Sequence, residues 1–178
     1  MGTGQAAAVE PGHGQAAAER GAAGGPVPVV EGLFRVSAGG VALVGTRCTG
    51  CGTHYFPTSL SCRNPQCEAK TVEEALLGRR GRLFSYTVQA YRPPALFRME
   101  PWAPYAIGLV ELPEGLRVMG MLTGCEPDDL RIGMALELVV EPLYRDEAGR
   151  DVLTYKFAPG AAGVPGAADV PGSGGDAS

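Results

Sequence analysis

The sequence predicts a mainly β protein, in which a metal-binding ribbon is followed by a five-stranded OB-fold barrel, with a disordered tail at each end. Three observations predict this class. Four cysteines form two short pairs in the pattern C-x2-C-x10-C-x4-C between residues 48 and 67. Short apolar segments then recur between residues 83 and 157, with a turn signal about every ten residues. Both ends of the chain are rich in Gly and Ala.

The two ends are expected to be disordered. Residues 1–30 contain eight Ala and seven Gly, and residues 159–178 contain six Gly, five Ala and three Pro. Because these segments have few large side chains, burial cannot repay the entropy lost on ordering them. The folded body would then comprise a zinc ribbon over residues 31–78 and a barrel over residues 79–158.

The two cysteine pairs predict a structural metal site. Cys48, Cys51, Cys62 and Cys67 lie in tight turns, and Gly52 permits the positive φ that such a turn often needs. Four thiolates complete the tetrahedral shell of Zn²⁺ and leave no position for a reactive water. Two disulfides, or iron held by the same thiolates, are the alternatives. The fifth cysteine, Cys125, is expected to act as a small buried hydrophobic residue.

Before and between the cysteine pairs, the ribbon is expected to consist of short strands. Residues 33–36 and 41–45 flank a Ser-Ala-Gly-Gly turn and predict a hairpin that leads into the first pair. Residues 53–57 supply an aromatic strand that can cover the metal. Residues 73–77 are expected to form one helical turn.

Five strands are predicted for the barrel: residues 83–91, 105–112, 116–122, 134–143 and 151–157. In the first strand, alternation places Leu83, Ser85, Thr87 and Gln89 on one face and Phe84, Tyr86, Val88 and Ala90 on the other. A short helical turn with Pro127 near its start is expected between the third and fourth strands. This pattern favours a Greek-key OB barrel, and an open sandwich is the alternative.

Charge and hydropathy limit the classes of partner. The chain has a formal net charge of −4, of which the tails contribute −3, so that the body is close to neutral. Nucleic-acid-binding domains of this size usually carry a basic excess, and we therefore expect no nucleic-acid partner. Without a long apolar run or an export signal, we expect neither a membrane span nor secretion. Cysteines at metal spacing then fit a reducing cytoplasm.

Several stretches resemble a known bacterial and archaeal family of acyl-CoA-associated proteins, in which a rubredoxin-like zinc ribbon is joined to an OB fold. The similar stretches are the first cysteine pair with Arg47 and Gly52, Tyr55-Phe56-Pro57, the second pair, and residues 80–88, 107–112, 115–118 and 130–134. The resemblance spans about residues 33–158. The wide second pair and the Pro-rich insert of residues 92–104 depart from it.

The resemblance implies the role of a partner subunit without catalytic residues of its own. Members accompany thiolases, thiolase-like aldolases, hydroxymethylglutaryl-CoA synthases or MaoC-type hydratases, which process CoA thioesters. The insert and the sequence Glu141-Pro142-Leu143-Tyr144 are similar to the branch that includes the small subunit of benzoylsuccinyl-CoA thiolase, from anaerobic toluene degradation. A hetero-oligomer with a thiolase-like catalytic subunit is therefore expected.

Candidate contacts follow from the chemistry of CoA. Arginine forks suit its phosphates, and the candidates are Arg79, Arg80, Arg82, Arg92 and Arg98; the alternative is that they are solvated loop charges. Tyr91 or Trp102 could stack on the adenine ring. The apolar cluster Phe97, Met99, Trp102 and Tyr105 is a candidate partner interface, or it packs on its own barrel.

Independent catalysis is not expected. Thiolysis needs a nucleophilic cysteine, a histidine base and donors for the oxyanion. Outside the cysteine pairs and the tails, the chain offers Cys125 and His54. His54 lies three residues after Cys51 and is expected to hydrogen-bond near the metal or to face solvent, rather than to pair with Cys125. A single-strand nucleic-acid-binding module is the alternative from another class, since ribbons and OB barrels are both used in this way.

Overall fold

A computed structural model describes residues 24–92 and 101–160 of the 178-residue chain. Ten strands are described in this part, together with one 3-10 turn at Pro127–Asp129. The strands are β1 (Val27–Pro28), β2 (Phe34–Ser37), β3 (Gly40–Cys48), β4 (His54–Tyr55), β5 (Val72–Leu76), β6 (Arg80–Gln89), β7 (Tyr105–Glu111), β8 (Arg117–Leu122), β9 (Ala135–Arg145) and β10 (Asp151–Pro159).

The ribbon is a small antiparallel sheet organised around β3. This strand pairs with β2 along its first half and with β4 and β5 along its second half. The hairpin predicted for residues 33–45 is confirmed by β2 and β3, and the aromatic strand predicted for residues 53–57 is confirmed by β4. Because β3 ends at Cys48, the sheet delivers the first metal-site cysteine directly from a regular strand.

One element of the ribbon was predicted wrongly. Residues 73–77 do not form a helical turn, because Val72–Leu76 is strand β5 and pairs with β3 from Val44 to Cys48. Glu, Ala and Leu favour helices when they are considered alone. Here the tertiary pairing prevails, since it completes the sheet and brings Val72 against the cysteine cluster.

The barrel closes through five strands. The order is β6-β7-β8-β10-β9, and β9 pairs again with β6 to complete the ring. Neighbouring barrel strands are antiparallel, with one exception. β10 lies between β8 and β9, and it runs parallel to β8 and antiparallel to β9. The predicted OB-type barrel is thus confirmed, whereas the alternative of an open sandwich is wrong. The predicted helical turn between the third and fourth barrel strands corresponds to Pro127–Asp129.

A β-bulge changes which residues of β6 lie on each face of the sheet. Its pairing with β7 shifts between Leu83 and Ser85, so that Tyr86 and Val88 lie opposite Gly108 and Ala106. Paired residues share a face, and Tyr86 and Val88 are therefore on the same face as Leu83. The strict alternation predicted for residues 83–90 is wrong beyond Phe84, because the bulge inserts one residue into the pattern.

The amino-terminal boundary of the fold also differs from the prediction. Val27–Pro28 forms β1 and pairs in parallel with Val152 and Leu153 of β10, although the disordered tail was expected to extend to residue 30. Val29 N–H also donates to the Leu153 carbonyl at 2.8 Å. At the other end, β10 extends to Pro159, the first residue of the predicted tail. Residues 1–23 and 161–178 lie outside the described residues.

Candidate metal centre and partner-facing surfaces

The first cysteine pair is built by a turn at the end of β3. Cys48 N–H donates to the Thr53 carbonyl at 2.9 Å, and Gly52 N–H donates to the Cys48 carbonyl at 2.9 Å. Gly52 has a φ of 74°, which a glycine adopts without steric cost. Gly50 is equally constrained, because a Cβ there would lie 2.6 Å from the Ala69 Cβ. The two glycines let the turn pass close to the second pair.

The second pair is held by its four-residue spacer. Cys62 N–H donates to the Lys70 carbonyl at 3.0 Å, and Cys67 N–H donates to the Asn64 carbonyl at 3.1 Å. The Asn64 side chain accepts from the Gln66 N–H at 3.0 Å. These bonds turn the wide spacer back on itself, so that Cys67 returns towards Cys62 despite the unusual spacing.

The four sulfurs converge as a metal shell requires. The Sγ atoms of Cys48, Cys51, Cys62 and Cys67 lie within 4.8 Å of one another, and the Cys48–Cys67 and Cys51–Cys62 pairs are each 3.6 Å apart. Sulfurs about 2.3 Å from a tetrahedral zinc would lie about 3.8 Å apart, so this geometry fits the ion. All four cysteines are free, which makes the disulfide alternative wrong.

Two hydroxyl groups lie against the sulfurs, and sequence reasoning did not assign this role to them. The Thr53 Oγ1 is 3.2 Å from Cys51 Sγ, and the Tyr55 hydroxyl is 3.1 Å from Cys62 Sγ. The Thr53 hydroxyl is the main reason why the pKa of the exposed Cys51 thiol is lowered to about 6. Both residues lie in the segment that was expected to cover the metal. Their hydroxyl side chains, so close in sequence to the cysteines, are the feature from which this role could have been predicted.

Cys125 and His54 have separate surroundings. His54 is partly buried in β4, opposite Arg47 of β3. Cys125 follows β8 and packs against the barrel core, but it is only partly buried, whereas a buried residue was expected. Burial raises the pKa of the Cys125 thiol, and the nearby carboxylates of Asp129 and Glu126 raise it further. This environment disfavours the thiolate that a nucleophile needs.

The arginines proposed to bind CoA differ in whether their side chains already bond to other groups of this chain. Arg79 donates to the Gly39 carbonyl at 3.2 Å and pairs with Glu137 at 2.8 Å, so it connects the ribbon to β9. Arg82 donates to the Gly133 carbonyl at 3.0 Å. Arg80 and Arg92 are exposed. Arg98 lies outside the described residues.

The aromatic interface candidates are only partly covered by the structure. Phe97 and Met99 lie outside the described residues. Trp102 is partly buried, and its Nε1 is buried without a hydrogen-bond partner in the described part of the chain. Tyr105 begins β7, and burial raises the pKa of its hydroxyl.

Tyr105 also lines an apolar groove on the outside of the barrel. The groove has a volume of about 320 Å³ and runs between the chain around Val29 and Val30 and the barrel residues Met119 and Tyr155. Val30 and Met119 are more than half exposed, at 54% and 64%. An apolar surface of this kind is typical of a face that contacts a ligand or a partner.

Comparison with known proteins assigns the chain to a family. The model of the ChsH2 rubredoxin-like zinc ribbon domain matches residues 42–73, and that of the ChsH2 C-terminal OB-fold domain matches residues 74–141. A DUF35 domain-containing scaffold protein of Methanocaldococcus jannaschii is 40% identical over 119 residues, which are 66% of this chain and 81% of that protein. The chain belongs to the DUF35 scaffold-protein family.

Other relatives of this DUF35 chain carry the names of enzyme subunits. Benzoylsuccinyl-CoA thiolase subunit BbsA of Thauera aromatica is 32% identical over 115 residues, which are 65% of this chain and 74% of that subunit. A solved structure of an Ltp2-ChsH2(DUF35) aldolase is similar with a TM-score of 0.51 and 31% identity, covering 66% of this chain and 84% of that chain. The expected family is thereby confirmed.

Family membership also decides the metal. The matched ribbon model is a zinc ribbon, and the four converging sulfurs supply a complete tetrahedral donor set. Zinc is therefore the structural metal of this chain, and the iron alternative has no support. Four thiolates leave no open position, so the ion stabilises the ribbon and offers no site for a substrate.

Proposed function

We propose that this chain is a non-catalytic zinc-binding subunit of a heteromeric enzyme that processes CoA thioesters, most directly a thiolase. The relatives support this proposal: among them are thiolase subunits in Thauera aromatica and Geobacter metallireducens, a probable enoyl-CoA hydratase subunit and an aldolase complex. A thiolase-like aldolase, a hydroxymethylglutaryl-CoA synthase or a MaoC-type hydratase is the alternative partner.

The observation that carries the proposal is the placement of the chain's five cysteines. Four converge on the metal centre, and the fifth is Cys125, which is partly buried against the barrel core and whose thiol pKa is raised by that burial and by the nearby carboxylates. Thiolysis proceeds through a cysteine thiolate with a histidine base. The catalytic partner would therefore supply the nucleophile, the base and the oxyanion donors, while this chain supplies surface.

Two surfaces are proposed to meet the partner and its substrate. The apolar groove beside Met119 and Tyr105 would pack on the catalytic subunit. Trp102, Phe97 and Met99 remain further candidates for this contact, and the last two lie outside the described residues. The arginines between ribbon and barrel would approach the CoA phosphates. Arg80 is the first candidate because Arg79 and Arg82 already donate to groups of this chain; Arg92 and Arg98 would act from the insert.

A narrower form of the proposal names the reaction and the compartment. Two BbsA subunits are 32% and 33% identical to this chain, which supports a benzoylsuccinyl-CoA thiolase and thus anaerobic aromatic degradation. A cytoplasmic location belongs to the same proposal, because zinc thiolates persist in a reducing compartment.

The partner is tested by purifying the tagged full-length chain from its own cells and identifying the proteins that remain bound. We expect a thiolase-like chain in stoichiometric amount, and thiolysis of an acyl-CoA that needs both chains. The variant Cys62→Ser should lose the partner because its ribbon cannot close around zinc, whereas Cys125→Ser is the matched control and should retain it. Full thiolytic activity of the partner alone would refute the proposal.

Direct binding of CoA is tested separately, by calorimetric titration of the complex with CoA. Arg80→Ala should weaken binding by about tenfold, as expected for the loss of one charge-assisted contact of about 1.5 kcal/mol. Arg145→Ala removes an exposed arginine of the β9–β10 hairpin and is the control. Equal affinities for both variants and the wild type would remove Arg80 from the site and leave the scaffold role intact.

A further inference from the structure

The hydroxyl group of Tyr55 is a junction between the ribbon sheet and the second cysteine pair. Tyr55 lies in β4 opposite Thr46, and its side chain packs against the cysteine cluster. Its hydroxyl is 3.1 Å from Cys62 Sγ and accepts backbone N–H groups from Arg63 at 2.9 Å and from Asn64 at 3.3 Å. One oxygen atom therefore contacts a metal ligand and the two residues that follow it.

These contacts determine the direction of the hydrogen bond to sulfur. A phenolic oxygen accepts through its lone pairs and has one proton to donate. Since two backbone N–H groups occupy the lone pairs, the proton is directed to Cys62 Sγ. A thiolate sulfur bound to zinc carries negative charge, and a hydrogen bond to a charged acceptor is stronger than one between neutral groups.

The wide spacing of the second pair explains why such a group is needed. The four residues between Cys62 and Cys67 bring more backbone into the turn than a two-residue spacer would. Asn64 closes the end near Cys67 through its carbonyl and its side chain. The N–H groups at the other end, those of Arg63 and Asn64, point to the Tyr55 hydroxyl. Tyr55 thus organises the half of the spacer that begins at Cys62.

We propose that Tyr55 is a positioning residue for the zinc ion: it holds Cys62 and the start of the wide spacer in the metal-binding arrangement and slows the release of zinc. It acts through Cys62 and does not itself bind the metal. This proposal is independent of the partner enzyme, because every contact that supports it lies within the ribbon.

The test compares the release of zinc from full-length variants to a colorimetric chelator. Losing a hydrogen bond to a metal ligand usually lowers metal affinity about 10- to 100-fold, and we expect Tyr55→Phe to release zinc faster by a comparable factor. The matched control is Tyr155→Phe, which removes a tyrosine hydroxyl that donates to the Met119 carbonyl at 2.7 Å in the barrel. Release at the wild-type rate from Tyr55→Phe, or equally fast release from both variants, would overturn the proposal.

A spectroscopic signal separates positioning from general loosening. In the cobalt-substituted protein, loss of the hydrogen bond to Cys62 should shift the sulfur-to-cobalt charge-transfer band in Tyr55→Phe and leave it unchanged in Tyr155→Phe. If Tyr55→Phe does not fold, amide hydrogen exchange in the zinc-loaded wild type decides. Protected Arg63 and Asn64 amides support the proposal, and rapidly exchanging ones contradict it.

Discussion

Asp146 organises the turn between β9 and β10 through both of its carboxylate oxygens. Its Oδ1 accepts the N–H groups of Ala148 at 3.0 Å and Arg150 at 2.9 Å, and its Oδ2 accepts Arg150 Nε at 2.8 Å. These donors, with the Arg150 N–H first among them, lower the pKa of the Asp146 carboxyl below its ordinary value. The ionised side chain therefore stabilises the folded state.

We predict that Asp146→Asn lowers the Tm at neutral pH and that this difference disappears in acid. A carboxyl whose pKa is lower in the folded state contributes stability above its unfolded pKa of about 3.9, and the contribution is lost as the pH falls through the folded pKa. Thermal unfolding between pH 7 and pH 2 measures the difference. Asp128→Asn removes an exposed carboxylate and controls for net charge. A difference that persists at pH 2 would contradict the assignment.

At the residue scale, the sequence predicted the metal ligands and missed the residues that hold them. Cysteine spacing is local information, and the four ligands could therefore be read along the chain. The contacts of Thr53 and Tyr55 with sulfur depend on how β4 lies against the second pair, which is tertiary information. The candidate interface residues and the arginines proposed to contact CoA remain predictions, because their spacing in the sequence does not show which side chains the fold brings together.

The closure of the barrel depends on a short seam between β6 and β9. Only Arg80, Gly81 and Arg82 of β6 pair with β9 among the described residues. A Cβ at Gly81 would lie 2.5 Å from the Glu111 carbonyl oxygen and 2.7 Å from the Val110 Cγ1. Real Cβ atoms do not approach backbone so closely, and β6 would have to move away from β7.

We predict that Gly81→Ala lowers the free energy of unfolding by about 1–3 kcal/mol, the usual cost of overpacking a core. Gly25→Ala adds the same methyl group where no heavy atom lies within 4 Å, and it should change stability by less than about 0.5 kcal/mol. Urea denaturation of both variants measures the difference. If their midpoints coincide, the seam tolerates displacement and the close contact at Gly81 has no energetic role.

The type of an element could be predicted where its own residues show a strand pattern. It could not be predicted where pairing with a neighbouring strand determines the type. The barrel strands alternate or form apolar runs bounded by turn residues, and the sequence identified all five. Strand β5 has a helix-favouring composition and becomes a strand only because β3 offers it a free edge. The bulge after Leu83 leaves no trace in the alternation, since both of the resulting faces contain apolar residues.

At the scale of the molecule, ribbon and barrel share one core. Leu43 and Leu77 belong to the ribbon, yet they are 0% and 2% exposed and pack in the same cluster as the barrel residue Phe157. Phe56 of the ribbon meets the Tyr155 ring edge-on, with centroids 5.6 Å apart. The Gly78 N–H donates to Glu114 Oε1 at 2.6 Å. Two sequence domains thus meet through apolar packing and a hydrogen bond at their junction.

This shared core predicts that removing zinc destabilises the barrel as well as the ribbon. Structural zinc contributes about 10–16 kcal/mol of apparent binding free energy in small domains, so chelation should lower the Tm by more than about 10 °C. Trp102, the chain's single tryptophan, precedes β7, and its fluorescence reports on the barrel. The zinc that a colorimetric chelator captures reports on the ribbon.

On heating the zinc-loaded protein, Trp102 fluorescence and zinc release should change over the same temperature range, because one cooperative unit gives coincident transitions. The variant Glu114→Gln weakens the junction without touching either core and should begin to separate the two signals. Zinc loss well below the fluorescence transition in the wild type would show instead that the ribbon unfolds by itself. In that case Leu43 and Leu77 would contribute packing to the barrel without coupling its stability to the metal.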